Sequence, residues 1–390
     1  CGDGAARRGC GGMTRVQVKP ELLRWAIERA RRDGVDAYAK FPKLPQWESG
    51  ALQPTWKQVE EFADATHVAV GFLFGSEPPD EPLPFADFRA YTPGTEPSGN
   101  LLDTIYAEQR RQDWYREYAT VEALDEVSWI GSANVSHSPA AVASKLRALL
   151  NFEPEQRKDS RHWSDTPRAL RARLEALGVL VTSSGIVGTN THRVLDTSEF
   201  RGFCIADSRA PLIFVNGADH KASQSFTICH ELAHLALGQT GLSDEDAGQF
   251  AHEQREQWCD DVATEILVPA VCVERPLRDE LVREHATDLS SRLKVSVPVA
   301  LRGVSRKTRM DEAVFRRLYA QAWSELPAKR SSGGGDFYTV ALSRVSKRFA
   351  QGVVWSAQGG TTSYTEAFRL LGVRNGRGFD EIVQRLDGAP

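Results

Sequence analysis

The chain has 390 residues, of which 41% are hydrophobic and 26% are charged, and its net charge is −4. This length predicts two or three domains, and the composition is typical of a folded, soluble protein. The small negative charge excludes the basic excess of a protein that coats nucleic acid, and the absence of an apolar run of roughly 18 residues predicts no membrane span and a cytoplasmic location.

The first 75 residues carry mainly helical patterns. Residues 1–12 are Gly-rich without periodicity, which predicts a disordered tail. Pro20 opens PELLRWAIERARR, in which apolar residues recur at helical spacing. Thr55 and Gln58 have the spacing of a capping box at the start of another helix. The proline-rich stretch that follows predicts an extended linker over residues 76–95.

The central part of the chain alternates helical and strand patterns. Two helical stretches lie between residues 100 and 150, and a third ends at Gly178. The segment VLVTSSG predicts a strand, whereas FRGFCIAD and PLIFVNG, separated by SRA, predict an antiparallel hairpin. Helical patterns resume up to Gly238 and again over 246–268. The order of these elements predicts a helix-rich α+β fold with a small antiparallel sheet.

One short motif carries most of the functional information. His230 and His234 lie four residues apart in SFTICHELAHLALGQ. On a helix such residues share a face, so both imidazoles can reach one ion while Glu231 stands beside them. Ile228 and Leu232 would then lie on the opposite side and pack against the sheet. Because the motif is short, two unrelated histidines are the alternative interpretation.

A catalytic zinc usually has a third protein ligand and one open position for water. Glu256, 22 residues after His234, can provide that ligand from the next helix. Asp260, one turn later, can accept the free N–H of a ligating histidine and so fix its tautomer. Asp261 and Glu265 are the alternative third ligands.

These residue types predict an amide hydrolase with Zn²⁺ as the cofactor, because histidine and carboxylate ligands suit zinc. Glu231 would act as the general base, taking a proton from water and passing it to the leaving amine. The strand PLIFVNG could accept an extended substrate by β-strand addition, and an ordinary internal strand is the alternative. The candidates for stabilising the oxyanion are His192, His220 and His252.

The order of these features resembles the ImmA/IrrE family of zinc metallopeptidases, in the form that carries an N-terminal XRE-type helix-turn-helix domain. The matching segments are GFCIADSRAPLIFVNGADHKASQSFTICHELAHLALG, EQWCDDVATEILVPA and PKLPQWESGALQPTWKQVEEFA. The resemblance implies a zincin-like metallopeptidase domain flanked by helical domains. It also implies that His230, His234 and Glu256 are zinc ligands, that Glu231 is the catalytic base, and that the substrate is a DNA-binding repressor.

The chain departs from the family pattern at two places. Asp260 stands where the family usually has asparagine; it can still accept a hydrogen bond but adds a negative charge. In the N-terminal region, only seven residues separate Ala39 from Trp47, and Pro42 and Pro45 lie among them. A complete recognition helix cannot form there, since proline inside a helix costs about 3 kcal/mol or more.

The N-terminal region is therefore expected to dock a partner or to form a homodimer rather than to read a DNA sequence. Residues 14–43 carry eight Lys and Arg against four Asp and Glu, which allows weak contact with DNA phosphates. The alternative function is a transcriptional regulator or antitoxin-like factor whose peptidase-like domain acts as a sensor or binding module. The predicted segments are a tail (1–12), a degenerate XRE-like domain (13–75), a linker (76–95), a zinc peptidase domain with its leading helices (96–275), a helix-turn-helix-like region (276–330) and a small helical domain (331–390).

Overall fold

The computed structural model of the protein describes residues 14–81, 97–238, 249–274, 281–327 and 336–387. The predicted tail and most of the predicted linker, from residue 82 on, lie outside these ranges. By contacts the chain divides into two compact units. The first comprises Cys1–Leu83 and Thr95–Asp103, and the second comprises Pro84–Gly94 and Thr104–Pro390.

The first unit is helical around one small core. Thr55 and Gln58 form the predicted capping box, since each side chain bonds the backbone N–H of the other residue. Leu23, Phe62 and Trp47 are buried in this core. The helices are α1 (Pro20–Arg32), α2 (Ala37–Lys40), α3 (Leu44–Glu48) and α4 (Trp56–Thr66), followed by a 3₁₀ turn (Val70–Phe74).

The segment between α1 and α4 holds the two shortest of these helices. Pro42 lies in the turn between them, and Pro45 occupies the first turn of α3, where its missing N–H costs nothing. Because α2 has four residues and α3 has five, neither can span a groove of DNA as a recognition helix does.

The rest of the chain is mainly helical, in agreement with the predicted α+β, helix-rich fold. Within the described ranges, no helix combines the length and the apolarity needed to cross a bilayer. The helices are α5 (Gly99–Val121), α6 (Pro139–Leu149), α7 (Thr166–Ala176), α8 (Lys221–Leu237), α9 (Gln249–Leu267), α10 (Val282–Leu293), α11 (Val297–Thr308), α12 (Glu312–Ser324), α13 (Phe337–Val345), α14 (Lys347–Gln358), α15 (Tyr364–Leu371) and α16 (Gly376–Asp387).

A three-stranded sheet is formed by β1 (Leu180–Ser184), β2 (Gly202–Ile205) and β3 (Leu212–Asn216) in the order β1-β3-β2. The predicted hairpin is present, since β2 and β3 pair antiparallel with Phe203 opposite Phe214. The sheet is mixed rather than purely antiparallel, because β1 joins the far side of β3 in parallel.

The central position of β3 settles the two interpretations of PLIFVNG. With β1 on one side and β2 on the other, β3 has no open edge to which a substrate could add. All five of its residues are buried, as expected for an internal strand. The outer strand of the hairpin is β2.

The core of the second unit lies between this sheet and the helices that follow it. Ile228, Leu232 and Leu235 of α8 are buried, and α8 packs against both β2 and β3. On its other side α8 packs against α9. Leu289 of α10 and Leu301 of α11 belong to the same hydrophobic cluster, so these two helices contribute to this core.

Arg157 holds the end of α9 in place. Its side chain is 2% exposed and donates hydrogen bonds to the carbonyls of Ile266 and Leu267, at the end of α9, and of Leu293, at the end of α10. Its guanidinium carbon lies 4.1 Å from the ring centre of Phe152. Since the last carbonyls of a helix have no partner within the helix, a buried guanidinium is well suited to satisfy them.

We expect the substitution Arg157→Met to lower the free energy of unfolding by about 3 kcal/mol, because several buried backbone carbonyls lose their hydrogen-bond donor. Urea denaturation followed by circular dichroism measures the change. Arg168→Met, on the exposed side of α7, is the matched control and should change stability by less than about 0.5 kcal/mol. Equal stabilities of the two variants would contradict this account of Arg157.

Candidate metal centre

The helix α8 sets the positions of two imidazoles. It begins after His220, whose ring accepts the N–H of Ala222, and it ends at Gly238, which adopts the left-handed conformation with φ of 70°. That conformation suits glycine and closes the helix. One turn apart along α8, His230 and His234 direct their Nε2 atoms toward each other at a distance of 3.0 Å.

The helix α9 brings a carboxylate to the same point. One oxygen of Glu256 lies 3.1 Å from Nε2 of His234, and the other lies 3.4 Å from Nε2 of His230. One potential ligand atom from each of the three residues lies within 4.8 Å of the others. All three side chains are buried. Buried nitrogen and oxygen atoms that converge in this way form a candidate metal site.

Glu256 is in the protonation state that a metal ligand requires. Burial by itself raises the pKa of this carboxyl, but hydrogen bonds and charge from His230 and His234 outweigh the burial and hold the pKa well below its usual range. Glu256 is therefore ionised at neutral pH. A carboxylate must be ionised to ligate a cation, so the group is ready for that role.

Asp260 reaches the opposite nitrogen of His230. Its Oδ1 lies 2.9 Å from Nδ1, the ring atom that faces away from Glu256. With a metal ion bound, a carboxylate in this position would hold the proton on Nδ1, so that Nε2 could donate its lone pair to the ion. The charge of Asp260 also acts on Arg306, a residue of α11. The sequence predicted Asp260 as the outer partner of a histidine ligand, and the structure places its carboxylate beside His230.

The two alternative third ligands lie elsewhere. Asp261 forms an ion pair with Arg306. Glu265 accepts the N–H of Ala270 at 3.0 Å, beyond the end of α9. Of the three acidic residues considered, the structure brings Glu256 alone to the pair of imidazoles.

Glu231 lies where α8 meets the outer strand of the hairpin. It is 8% exposed. A Cβ on Gly202 would lie 3.4 Å from Glu231 Oε1 and 2.6 Å from Thr227 Cγ2, so the backbone of β2 rests directly on α8 beside the carboxylate. This close approach requires glycine at 202. Sequence reasoning missed Gly202, since nothing in its local pattern marks it.

Cys204 is a second residue that sequence reasoning missed at this place. Burial raises the pKa of Cys204 well above its usual value, and the neighbouring Glu231 carboxylate, to which the thiol donates a hydrogen bond, raises it further. The neutral thiol is thus a donor to the carboxylate that the sequence predicts to be the base.

Two of the three predicted oxyanion donors, His192 and His220, have described contacts, and none of these contacts is with His230, His234 or Glu256. His192 is exposed, and its backbone N–H bonds Asn190. The ring of His220 caps α8, and its Nε2 lies 3.1 Å from the carbonyl of Pro327. The side chain of His252 lies outside the described residues.

The donor set fits a divalent cation of zinc type. Two imidazole nitrogens and one carboxylate oxygen are ligands that zinc accepts in catalytic sites. An Nδ1 partner orients one imidazole, which is the usual support for such a ligand. The cluster of His230, His234 and Glu256 could therefore hold a metal ion.

Comparison with protein families gives two matches. Residues 174–305 match the Peptidase M78 family, described as the IrrE N-terminal-like domain, which supports the resemblance to ImmA/IrrE and a metallopeptidase-type domain. The matched region begins in α7, ends in α11 and contains all three candidate metal ligands, His230, His234 and Glu256. Residues 345–385 match a domain of unknown function, DUF8813. A comparison with curated proteins found no match.

We expect the purified protein to bind one divalent cation per chain and the His234→Ala variant to bind none, because two remaining ligands hold a cation too weakly. Elemental analysis of dialysed protein measures the stoichiometry. His192→Ala removes an exposed histidine and should retain full occupancy. Equal metal content in the wild type and in His234→Ala would contradict the site.

We expect Asp260→Ala to weaken metal binding about 10- to 100-fold, the usual effect of removing a partner of a ligating histidine. Asp260→Asn should retain most of the affinity, since an amide oxygen can still accept the Nδ1–H. Competition against a chromophoric chelator gives both dissociation constants. Wild-type affinity in Asp260→Ala would exclude this role for Asp260.

Proposed function

We propose that this protein is a zinc-dependent endopeptidase that regulates gene expression by cleaving a protein substrate, with a DNA-binding repressor as the expected substrate. The observation that carries the proposal is the meeting of His230, His234 and Glu256, with Glu231 on the same helix as the two imidazoles. The match of residues 174–305 to a metallopeptidase family supports it.

In this proposal each residue has a separate task. Zinc, when bound, supplies Lewis acidity to a carbonyl oxygen and to water. Glu231 accepts the proton that the water loses and delivers it to the leaving amine. The thiol of Cys204 holds the Glu231 carboxylate in place. Asp260 keeps His230 in the tautomer that a ligand requires.

We propose that an extended substrate binds along β2, which is an edge strand of the sheet. Its residue Gly202 lies close to Glu231, so a segment that added to β2 would pass near the base. Backbone hydrogen bonds would supply affinity for many sequences, and pockets for side chains would supply selectivity. This assigns to β2 the role that the sequence suggested for β3.

For the first unit we propose docking or homodimerisation, with no more than weak DNA contact. Arg29 is buried and bonds Glu81 and Asp103, so it contributes nothing to a surface for phosphates. Arg24 and Arg31 are largely exposed and have only weak pairs with Glu48 and Glu28, which allows no more than weak contact with phosphates.

We place the whole protein in the cytoplasm in this proposal.

The alternative is a regulator in which the metal domain serves as a sensor. A sensor needs the ligands but has no use for a base, whereas Glu231 is retained beside them and is bonded by a thiol. That arrangement favours the enzyme.

We expect zinc-loaded protein, incubated with a proteome of folded proteins, to generate new N-termini at a few sites. Glu231→Gln should retain the metal and cleave about 10²- to 10⁴-fold more slowly, since proton transfer is lost. Mass spectrometry of labelled N-termini measures both rates. Glu117→Gln, an exposed change on α5, should cleave like the wild type. Cleavage at the wild-type rate by metal-loaded Glu231→Gln would rule out the proposed mechanism.

A further inference from the structure

A cationic side chain lies close to two aromatic rings beside the candidate metal site, which is formed by His230, His234 and Glu256. The guanidinium carbon of Arg302, on α11, is 4.5 Å from the ring centre of Phe226 and 5.4 Å from that of Tyr319. Phe226 is one turn before His230 on α8, and their ring centres are 6.2 Å apart. A single phenyl ring therefore separates the guanidinium from an imidazole of the metal cluster.

The charge of Arg302 is not balanced by the described part of the chain. Its one polar contact there is with the hydroxyl of Tyr319, at 3.4 Å, and no described carboxylate lies within ion-pair distance. Other arginines nearby are paired, since Arg306 faces Asp261 and Arg316 bonds Glu312. Arg302 is also half-buried, so solvent screens its charge less than that of an exposed arginine.

Such an arginine is prepared to bind a planar anion. Contacts with the two rings hold the guanidinium, and its N–H groups other than the one that bonds the Tyr319 hydroxyl stay available for acceptors. A carboxylate matches this edge with two parallel hydrogen bonds. Because the side chain is already ordered by the rings, little conformational entropy is lost when the anion binds.

The position of Arg302 also relates it to the outer strand. Thr227 and Glu231 lie on the side of α8 that meets β2, as the approach of Gly202 shows. Phe226 and His230 lie on the side that meets α11. A segment that starts at β2 and crosses the metal cluster comes next to Arg302.

We propose that Arg302, held between Phe226 and Tyr319, is a specificity-determining residue that binds a substrate carboxylate close to the scissile peptide. The carboxylate is that of an acidic side chain or that of the chain end. This inference rests on the proposed peptidase function and adds to it a class of substrate. Neutral and basic segments at this position are disfavoured, because they leave the guanidinium desolvated and unpaired.

The test uses hydroxamates as probes, since the hydroxamate group anchors to an open metal position. The first set carries a carboxylate on two, three or four methylene groups, and each member has a neutral amide counterpart of the same shape. Binding is measured by the change in visible absorption of cobalt-loaded protein, so that no cleavage is needed. We expect the best carboxylate probe to bind about 10- to 100-fold more tightly than its amide, the range for a hydrogen bond to a charged group.

The variants assign that preference to one side chain. Arg302→Gln should abolish it by lowering the affinity for the carboxylate probes, and Arg302→Lys should retain part of it. Arg316→Gln, an exposed arginine on α12, should retain all of it. A preference that survives in Arg302→Gln would overturn the inference.

A second set of probes distinguishes the two sources of the carboxylate. Each probe extends the hydroxamate by one amino acid, Glu or Gln, as a free acid or as an amide. Dependence on the side-chain charge identifies an acidic side chain, and dependence on the terminal charge identifies a chain end. Dependence on neither would overturn the inference.

The outcomes also separate this inference from the proposed function. If carboxylate and amide probes of both sets bind equally well to the wild type, the role of Arg302 is wrong and the open metal site stands. If no hydroxamate perturbs the cobalt spectrum, the cluster has no open position, and both the peptidase proposal and the inference fail.

Discussion

The candidate centre depends on the contact between two helices. The two imidazoles lie one turn apart on α8. The carboxylate of Glu256, on α9, stays within 3.4 Å of both Nε2 atoms only if the distance and the relative rotation of the two helices are kept. The burial of Ile228 and Leu232 under the sheet fixes α8, and Arg157 fixes the far end of α9 through its carbonyls. Packing interactions that lie outside the cluster therefore determine its geometry.

Charge around the cluster is arranged in layers. Glu256 faces both Nε2 atoms, Asp260 faces Nδ1 of His230, and Arg306 pairs with Asp261 beside it. On the other side of α8, a neutral thiol bonds Glu231. Acidic groups are thus matched by imidazoles, a guanidinium or a thiol wherever they are buried. Among the described residues Arg302 has no carboxylate partner, and the proposed substrate carboxylate would supply one.

The sequence predicted the features that depend on local spacing. The helical pair of histidines, the capping box of Thr55 and Gln58, and the hairpin all follow from periodicity or from turn chemistry over a few residues. The parallel pairing of β1 with β3 could not be predicted in this way, because β2 and the loops on either side of it lie between those two strands in the chain. Neither could the roles of Arg157, Cys204 and Arg302. Each acts on partners far along the chain, and no local pattern records such contacts.

The most direct test of the central claim is X-ray absorption spectroscopy of the zinc-loaded protein. The account predicts a shell of four nitrogen or oxygen neighbours at about 2.0–2.1 Å, with outer-shell scattering from two imidazoles and no sulfur. Replacing His230 should remove one imidazole from the fit. A sulfur neighbour at about 2.3 Å, or a shell with no imidazole scattering, would show that the metal binds elsewhere and would contradict the site built from α8 and α9.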